Sequence, residues 1–187
     1  TAVRLRSVFA CPCAAGEGWA GAATLPPAVS RAHLHRMPPL TDLTLRRKIT
    51  LDLGGRRFVL VKKPGESIEH VLGKAAAAHL YRDAYPDLAI EVPVGDTYKP
   101  DVVALDGDGS PVFWAESGKV SRQKLTKLFR RYPAAHFVFL KFGRIPEGFR
   151  RLVERCLPQR FGGRVEILSL PEDVADRILD GTLRLED

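Results

Sequence analysis

The chain has 187 residues and is 45% hydrophobic, which fits one ordinary domain with a continuous apolar core. Its formal charge of +7 favours an anionic partner such as nucleic acid, and its three cysteines are too few for a disulfide-stapled secreted scaffold. No apolar run reaches the roughly 18 residues of a membrane span, so no membrane association is expected and a reducing cytoplasm is the predicted location.

The first 36 residues differ from the rest of the chain in composition. They are rich in Ala, Gly and Pro, lack helical or strand periodicity, and end just before Met37, the one methionine. We therefore expect residues 1–36 to be a disordered N-terminal extension and residues 37–187 to form a single domain. The pattern leaves open whether the natural protein starts at Met37.

The first half of the domain predicts a hairpin, a helix and a short strand. Leu43 to Leu53 and Arg56 to Lys63 alternate as two strands around Gly54-Gly55. Apolar residues then recur at three- and four-residue spacing through ESIEHVLGKAAAAHLYRD, which predicts an Ala-rich helix packed closely on a sheet. DLAIEVPVG reads as a strand.

The second half alternates strands and helices. YKPDVVALDGDGSPVFWAESGK predicts a hairpin, and SRQKLTKLFRRY predicts a basic amphipathic helix with Ser121 as N-cap. The remaining elements, in chain order, are a buried strand AAHFVFLKF, a helix PEGFRRLVERCL, a strand RVEILSL and a last helix PEDVADRILDG. This order predicts an α/β fold with a mixed sheet flanked by helices.

The second hairpin carries one carboxylate on each strand at its open end. A loop centred near Asp108 sets Asp101 opposite Ala115 or Glu116, and directly opposed residues have Cβ atoms about 5 Å apart. By alternation, Asp101 and Val103 share one face of their strand, and Trp114 and Glu116 share one face of the partner strand. We therefore expect the two carboxylates to be neighbours.

Two neighbouring anions repel unless a positive group lies between them or one of them takes up a proton. A divalent cation resolves this conflict, and Mg²⁺ or Mn²⁺, bound through one or two carboxylates, is the expected cofactor. The alternative is a structural role, in which Asp101 caps a turn after Pro100 and Glu116 lies at a solvated strand end.

Pro100-Asp101, fourteen intervening residues and then Glu116-Ser117-Gly118-Lys119 resemble the signature of the PD-(D/E)XK nuclease superfamily. The resemblance implies a restriction-endonuclease-like core, here preceded by a β-hairpin, in which the Asp and the Glu hold a metal ion. It also implies a lysine that orients or deprotonates the attacking water.

Two blocks resemble the YaeQ-like proteins within that superfamily, and with the order of elements the likeness covers most of residues 42 to 143. In KPGESIEHVLGKAAAAHLY the matching positions are Pro64, Glu66, Glu69 and Lys74, with His70 where that family usually has Arg. In VFWAESGKVSRQKLTKLF they are Trp114, Glu116, Gly118, Leu125 and Lys127.

The lysine position departs from the superfamily pattern. Gly118 stands two residues after Glu116, and the lysine follows one later, at Lys119, where alternation points it away from the metal. A bulge at Gly118 could turn Lys119 inward, Lys127 or less favourably Lys124 could reach in from the next helix, or no catalytic lysine exists.

A carboxylate from the first helix commonly completes the metal site in this superfamily, and Glu66 and Glu69 are the candidates. We favour Glu69, which lies inside the helix, although either acid could simply stabilise the helix dipole. The expected metal ligands are therefore Glu69, Asp101 and Glu116.

These residues lead to two functional hypotheses. In the first, the protein is a metal-dependent phosphodiesterase acting on DNA or RNA, with Asp101, Glu116, Lys119 and Lys127 as catalytic residues. In the second, it is a catalytically inactive nuclease-fold protein that binds nucleic acid or a protein partner, as the glycine at position 118 suggests. The sequence does not indicate an oligomeric state.

Overall fold

A mixed sheet of six strands forms the centre of the computed structural model, which describes residues 3–7, 46–53 and 56–173. A separate two-stranded sheet and three helices complete this described part of the chain. The elements in chain order are β1 (Val3–Ser7), β2 (Arg47–Leu53), β3 (Arg56–Lys62), α1 (Ile68–Tyr81), β4 (Ala89–Ile90), β5 (Val102–Leu105), β6 (Pro111–Ser117), α2 (Arg122–Arg131), β7 (His136–Phe142), α3 (Glu147–Cys156) and β8 (Arg164–Leu170).

The central sheet has the strand order β1-β8-β7-β6-β5-β4. Strands β6, β7, β8 and β1 run parallel, whereas β4, β5 and β6 are antiparallel neighbours. The carboxyl ends of β6 and β7 therefore lie at the same edge of the sheet as the start of β5. We call this edge the site edge.

Helix α1 is buried on both sides because it lies between the central sheet and the β2–β3 hairpin. Small side chains make this possible, and Ala75, Ala76, Ala77 and Ala78 are all buried. They belong to one apolar core together with Leu51 and Leu60 of the hairpin and with alternate residues of the sheet. A helix that is apolar around most of its circumference is typical of such a buried position.

Helices α2 and α3 cover the opposite face of the sheet with a second core. Trp114 of β6 and Phe137 of β7 point into this core, where Leu128 and Phe129 of α2 and Val153 of α3 pack on them. Phe113 and Ala115 belong to the α1 core, so successive residues of β6 serve opposite faces. The alternation of β6 thus decides which helix each side chain meets.

Gly73 sets the distance between α1 and the site edge. A Cβ atom at this position would lie 2.0 Å from Ser117 Oγ and 2.8 Å from Ser117 Cβ. We expect Gly73→Ala to lower the free energy of unfolding by about 1 to 3 kcal/mol, because the helix must move away from β6. Urea denaturation followed by circular dichroism measures this change.

Gly148→Ala is the matched control, since Gly148 is also helical and a Cβ there would meet nothing within 4 Å. Alanine favours the helix, so this variant is expected to be as stable as the wild type or slightly more stable. Equal stability of the two variants would contradict the close contact at Gly73.

The predicted mixed α/β architecture is confirmed, as are several element bounds. Ser121 caps α2, its Oγ accepting a hydrogen bond from Lys124 N at 3.2 Å, and β8 has the predicted bounds. The strand predicted over DLAIEVPVG is wrong in extent, because β4 contains only Ala89 and Ile90. Glu91 has a φ of 54°, a left-handed conformation that ends the strand.

The N-terminal prediction needs one correction. Val3–Ser7, inside the expected extension 1–36, forms β1 and pairs in parallel with β8. The rest of that extension, Met37, the Gly54-Gly55 turn and most of the helix predicted over PEDVADRILDG lie outside the described residues. Within the described ranges, none of the helices has the length and apolarity needed to cross a bilayer.

Candidate functional site

Asp101 and Glu116 lie on adjacent strands at the site edge. Asp101 N donates a hydrogen bond to Ala115 O at 3.2 Å, and Ser117 N donates to Asp101 Oδ2 at 2.8 Å. The register pairs Val102 with Ala115, which sets Asp101 across from Glu116 as predicted. The hairpin therefore brings the two acidic residues together.

His70 of α1 is the side-chain partner of Asp101. Its Nε2 lies 3.3 Å from Asp101 Oδ1, and its Nδ1 donates to Ser117 O at 2.9 Å. The hydrogen bond to Asp101 raises the pKa of His70, although partial burial opposes the rise. The imidazolium form, with both nitrogens donating, is thereby favoured.

Glu66, at the start of the same helix, is also paired with a cation. Its Oε2 accepts a hydrogen bond from Lys63 N at 2.9 Å, and its Oε1 is paired with Lys74 Nζ and lies 3.5 Å from His70 Nε2. Lys74 is buried and also donates to Glu91. Burial alone would lower the pKa of Lys74, but the hydrogen bonds that it donates to Glu66 and Glu91 raise it. The lysine therefore stays charged between two carboxylates.

Glu91 completes this group after β4. Its carboxylate is paired with both Lys63 and Lys74. Burial would raise the pKa of Glu91, and the two lysine hydrogen bonds instead lower it to about 2. Its left-handed backbone places this carboxylate against α1, so the conformation that ends β4 also serves the charge cluster.

Glu116 has its own partners on the other face of the sheet. Its Oε1 accepts hydrogen bonds from Trp114 Nε1 at 2.7 Å and from Lys124 Nζ at 2.6 Å. The side chains of Glu116 and Lys124 are 6% and 17% exposed. Burial raises the pKa of Glu116, Lys124 opposes that rise, and the nearby charge of Asp101 adds to it.

The two carboxylates take their charged partners from different helices. Asp101 is held by His70 of α1, and Glu116 by Lys124 of α2, and these helices cover opposite faces. Strand alternation predicts a shared face for the two acids, and the backbone of Asp101 continues the ladder, since Asp101 N donates to Ala115 O and Glu91 N donates to Asp101 O. The Asp101 carboxylate lies at the end of β6, where it accepts from Ser117 N and can reach His70. The repulsion between the two acids is thus relieved by protein cations.

The lysines expected to be catalytic lie away from the two carboxylates. Gly118 has a φ of 86° and ends β6, and Lys119 after it is exposed beside a cleft shared with Glu66 and His70. Lys127 Nζ donates to Thr97 Oγ1 at 2.7 Å. The less favoured alternative, Lys124, is the lysine that reaches Glu116.

Glu69, the preferred helix carboxylate, does not join the cluster. It is half-buried in the first turn of α1 and makes no hydrogen bond or ion pair with any other described residue. Glu66, one turn earlier in the chain, occupies the position that Glu69 was expected to fill. The reason is the N-cap at Ser67, which places Glu66 before the helix, facing Lys74 and His70.

Lys141 is a site residue that the sequence reasoning did not identify. It lies near the end of β7, donates to Gly118 O, and its Nζ is 3.8 Å from the centroid of the Phe149 ring. Burial lowers its pKa to about 8, against the opposing effect of Glu116. A single lysine ending the apolar run HFVFL was the available signal.

The arrangement does not fit the divalent cation that the superfamily implies. Among the described residues, no group of three His, Cys, Asp or Glu side chains is placed to hold a metal ion. Glu116 Oε1 already accepts from Trp114 Nε1 and Lys124 Nζ, so a metal ion at this oxygen would have to replace both donors.

Comparisons with known proteins give a structural match. No family model matches the chain. No curated protein matches it. The YaeQ protein from Pseudomonas syringae is similar in structure at 18% identity and a TM-score of 0.51, over 71% of this chain and 75% of that one. The YaeQ protein from Xanthomonas axonopodis pv. citri gives 17% identity over 67% of this chain and 84% of that one, with a TM-score of 0.42 that is too low to carry an argument. The chain therefore has a YaeQ-like α/β fold, as its two sequence blocks predict.

Proposed function

We propose that this protein is a nuclease-like domain that binds nucleic acid at the site edge without metal-dependent hydrolysis. One observation carries the proposal: each carboxylate of the cluster has a basic side chain of the protein as its partner. The carboxylates are then neutralised internally, and the cations that remain face the solvent. A site of this kind attracts phosphates.

The excess positive charge surrounds the site edge. Lys119 and Arg144 are exposed there and have no ion-pair partner among the described residues, and Lys63 is 55% exposed beside them. Long-range attraction between such cations and phosphates supplies most of the affinity of sequence-independent nucleic-acid binding.

The exposed side of α2 extends this surface. Arg122 and Arg130 are exposed and unpaired within the described residues, whereas Arg131 and Lys127 share the buried carboxylate of Asp96, at 3.1 and 3.9 Å. A basic helix face is more often simply solvated. Helix α2 begins at Arg122, shortly after Lys119, so its basic face continues the positive charge at the site edge. This continuity favours phosphate binding over simple solvation of the helix face.

Metal-dependent phosphodiester hydrolysis is the second candidate. It is favoured by the adjacency of Asp101 and Glu116. The two carboxylates are close enough that the charge of Asp101 raises the pKa of Glu116. In that reaction Mg²⁺ or Mn²⁺ would have to displace His70 and Lys124 from the two carboxylates. The same experiment distinguishes the two candidates.

The experiment measures binding of labelled single- and double-stranded DNA and RNA by fluorescence anisotropy in EDTA at several salt concentrations. We expect affinity to fall as salt rises, and Arg122→Ala/Arg130→Ala to reduce the slope of log K against log salt by about 2. Arg150→Ala/Arg151→Ala is the matched control, since each of these arginines already pairs with a glutamate of α3.

The same substrates are then incubated with Mn²⁺ and resolved on a gel. Binding with intact substrate is the expected result. Cleavage that requires Mn²⁺ and disappears in Asp101→Asn would establish the second candidate instead, and absence of binding at low salt would exclude the proposed function.

A further inference from the structure

We infer that a second pocket, between the site edge and the start of α3, binds a phosphate monoester. The cavity measures about 530 Å³ and has three cationic side chains in its wall, Lys119, Lys141 and Arg144. No carboxylate is among its described lining residues. Gly118 and Lys119 separate it from the cleft that contains Glu66 and His70.

Lys141 is the centre of this pocket. Its ammonium group uses one N–H to donate to Gly118 O and lies over the Phe149 ring, so in the described structure two N–H donors remain for a ligand. Burial disfavours the charged form of this amine and lowers its pKa to about 8. An anion in the pocket would restore hydrogen bonds and stabilise the charged form.

The start of α3 adds a second feature that favours an anion. The N-cap is Pro146, which lines the pocket and makes no side-chain capping bond. Phe149 N donates to Pro146 O at 2.9 Å, and the amides of Glu147 and Gly148 make no hydrogen bond with a described residue. Glu147, the acid of the first turn, is not part of the pocket wall and pairs with Arg151 at 3.2 Å. The positive end of the helix dipole and the three cations therefore both attract an anion into the pocket.

The charge of the pocket selects the kind of phosphate. Three cations and a helix N-terminus match a monoester, which carries a charge near −2 at neutral pH, better than an internal phosphodiester with a single charge. The apolar wall, including Val120 and Phe149, suits a nucleoside or another organic group next to the phosphate. On the proposed function, this ligand is the phosphorylated end of a nucleic-acid strand; a free phosphorylated small molecule shares the same chemistry.

The test compares oligonucleotides of one sequence that carry a 5′-phosphate, a 3′-phosphate or only hydroxyl ends, measured by anisotropy in EDTA. We expect one phosphorylated form to bind about tenfold more tightly than the hydroxyl form. Lys141→Met and Arg144→Met should each abolish this preference. Lys141→Met should leave binding of the hydroxyl form largely intact, whereas Arg144→Met, which also removes a cation of the basic surface, should weaken both forms by the loss of one phosphate contact. Arg144 is exposed, so its variant keeps the test valid if Lys141→Met does not fold.

Lys48→Met and Arg160→Met, at exposed positions outside the pocket, should retain the preference. In parallel, inorganic phosphate is titrated while the amide signals of Gly118 and Phe149 are followed by nuclear magnetic resonance, and shifts absent from Lys141→Met are expected.

Nucleic-acid binding without any end preference, and without phosphate-induced shifts, overturns the pocket and leaves the proposed function standing. Phosphate-induced shifts in a protein that binds no oligonucleotide support the pocket as a small-molecule site and overturn the proposed function. No response to either ligand overturns both.

Discussion

Lys124→Ala is expected to lower the free energy of unfolding by about 2 to 3 kcal/mol, because it leaves the Glu116 carboxylate buried without its cation. The two side chains are 17% and 6% exposed, and their atoms are 2.6 Å apart, so water can replace the lysine only in part. Urea denaturation at neutral pH measures the loss.

Lys127→Ala, one turn further along α2, is the control for Lys124→Ala. Lys127 is 43% exposed and 3.9 Å from Asp96, so its removal should cost less than about 1 kcal/mol. Adding Glu116→Gln to Lys124→Ala should recover part of the stability, since the uncompensated charge is then gone. Similar losses for the two lysines would contradict a buried ion pair at Glu116.

Lys74→Met should lower the free energy of unfolding by more than Lys124→Ala does, by about 3 kcal/mol or above, because Lys74 is the cation partner of two carboxylates. Lys74 is 3% exposed, and both Glu66 and Glu91 pair with it. Methionine keeps the apolar packing of the lysine stem, so the loss reports the charge and not the volume. Thermal or urea unfolding measures it, and partial recovery is expected when Glu66→Gln is added.

Lys63→Met is the matched control for Lys74→Met. Lys63 also pairs with Glu91 but is 55% exposed, so solvent replaces much of its effect and the expected loss is below about 1 kcal/mol. If Lys63→Met and Lys74→Met were equally stable, the buried charge cluster at the start of α1 would not exist as described.

Local patterns were enough to predict most elements of the fold. The loop near Asp108 left two registers for β5 and β6, and the structure has the one that sets Asp101 across from Glu116, with an irregularity between Ala104 and Leu105. The Ala-rich composition of α1 indicated close packing. β1 was missed although VRLRS alternates apolar and polar residues, because one alternation of five residues before a long Ala-, Gly- and Pro-rich stretch is a weak strand signal. Its pairing with β8 is a long-range contact that no local window contains.

The site was predicted less completely than the fold. Asp101 and Glu116 are adjacent as expected, but their partners, His70 and Lys124, come from two different helices. The hairpin pattern contains only the two strands, so it predicts that the acids are neighbours but not which side chains of α1 and α2 pair with them.

The choice between Glu66 and Glu69 depended on where α1 begins. Moving the helix start by one or two residues exchanges the acid that faces the cluster, and helix ends are the least predictable part of any pattern. Lys74 indicates the charge cluster more clearly than either glutamate does. A lysine inside a buried alanine run must have a carboxylate or another polar partner.

The most direct test of this account is titration of the wild-type protein with Mn²⁺, followed by isothermal calorimetry and by the paramagnetic signal of the free ion. Because His70 and Lys124 already neutralise the carboxylates, we expect no stoichiometric site with a dissociation constant below about 0.1 mM, a binding free energy near −5.5 kcal/mol. One tightly bound Mn²⁺ per chain, lost in both Asp101→Asn and Glu116→Gln, would contradict it.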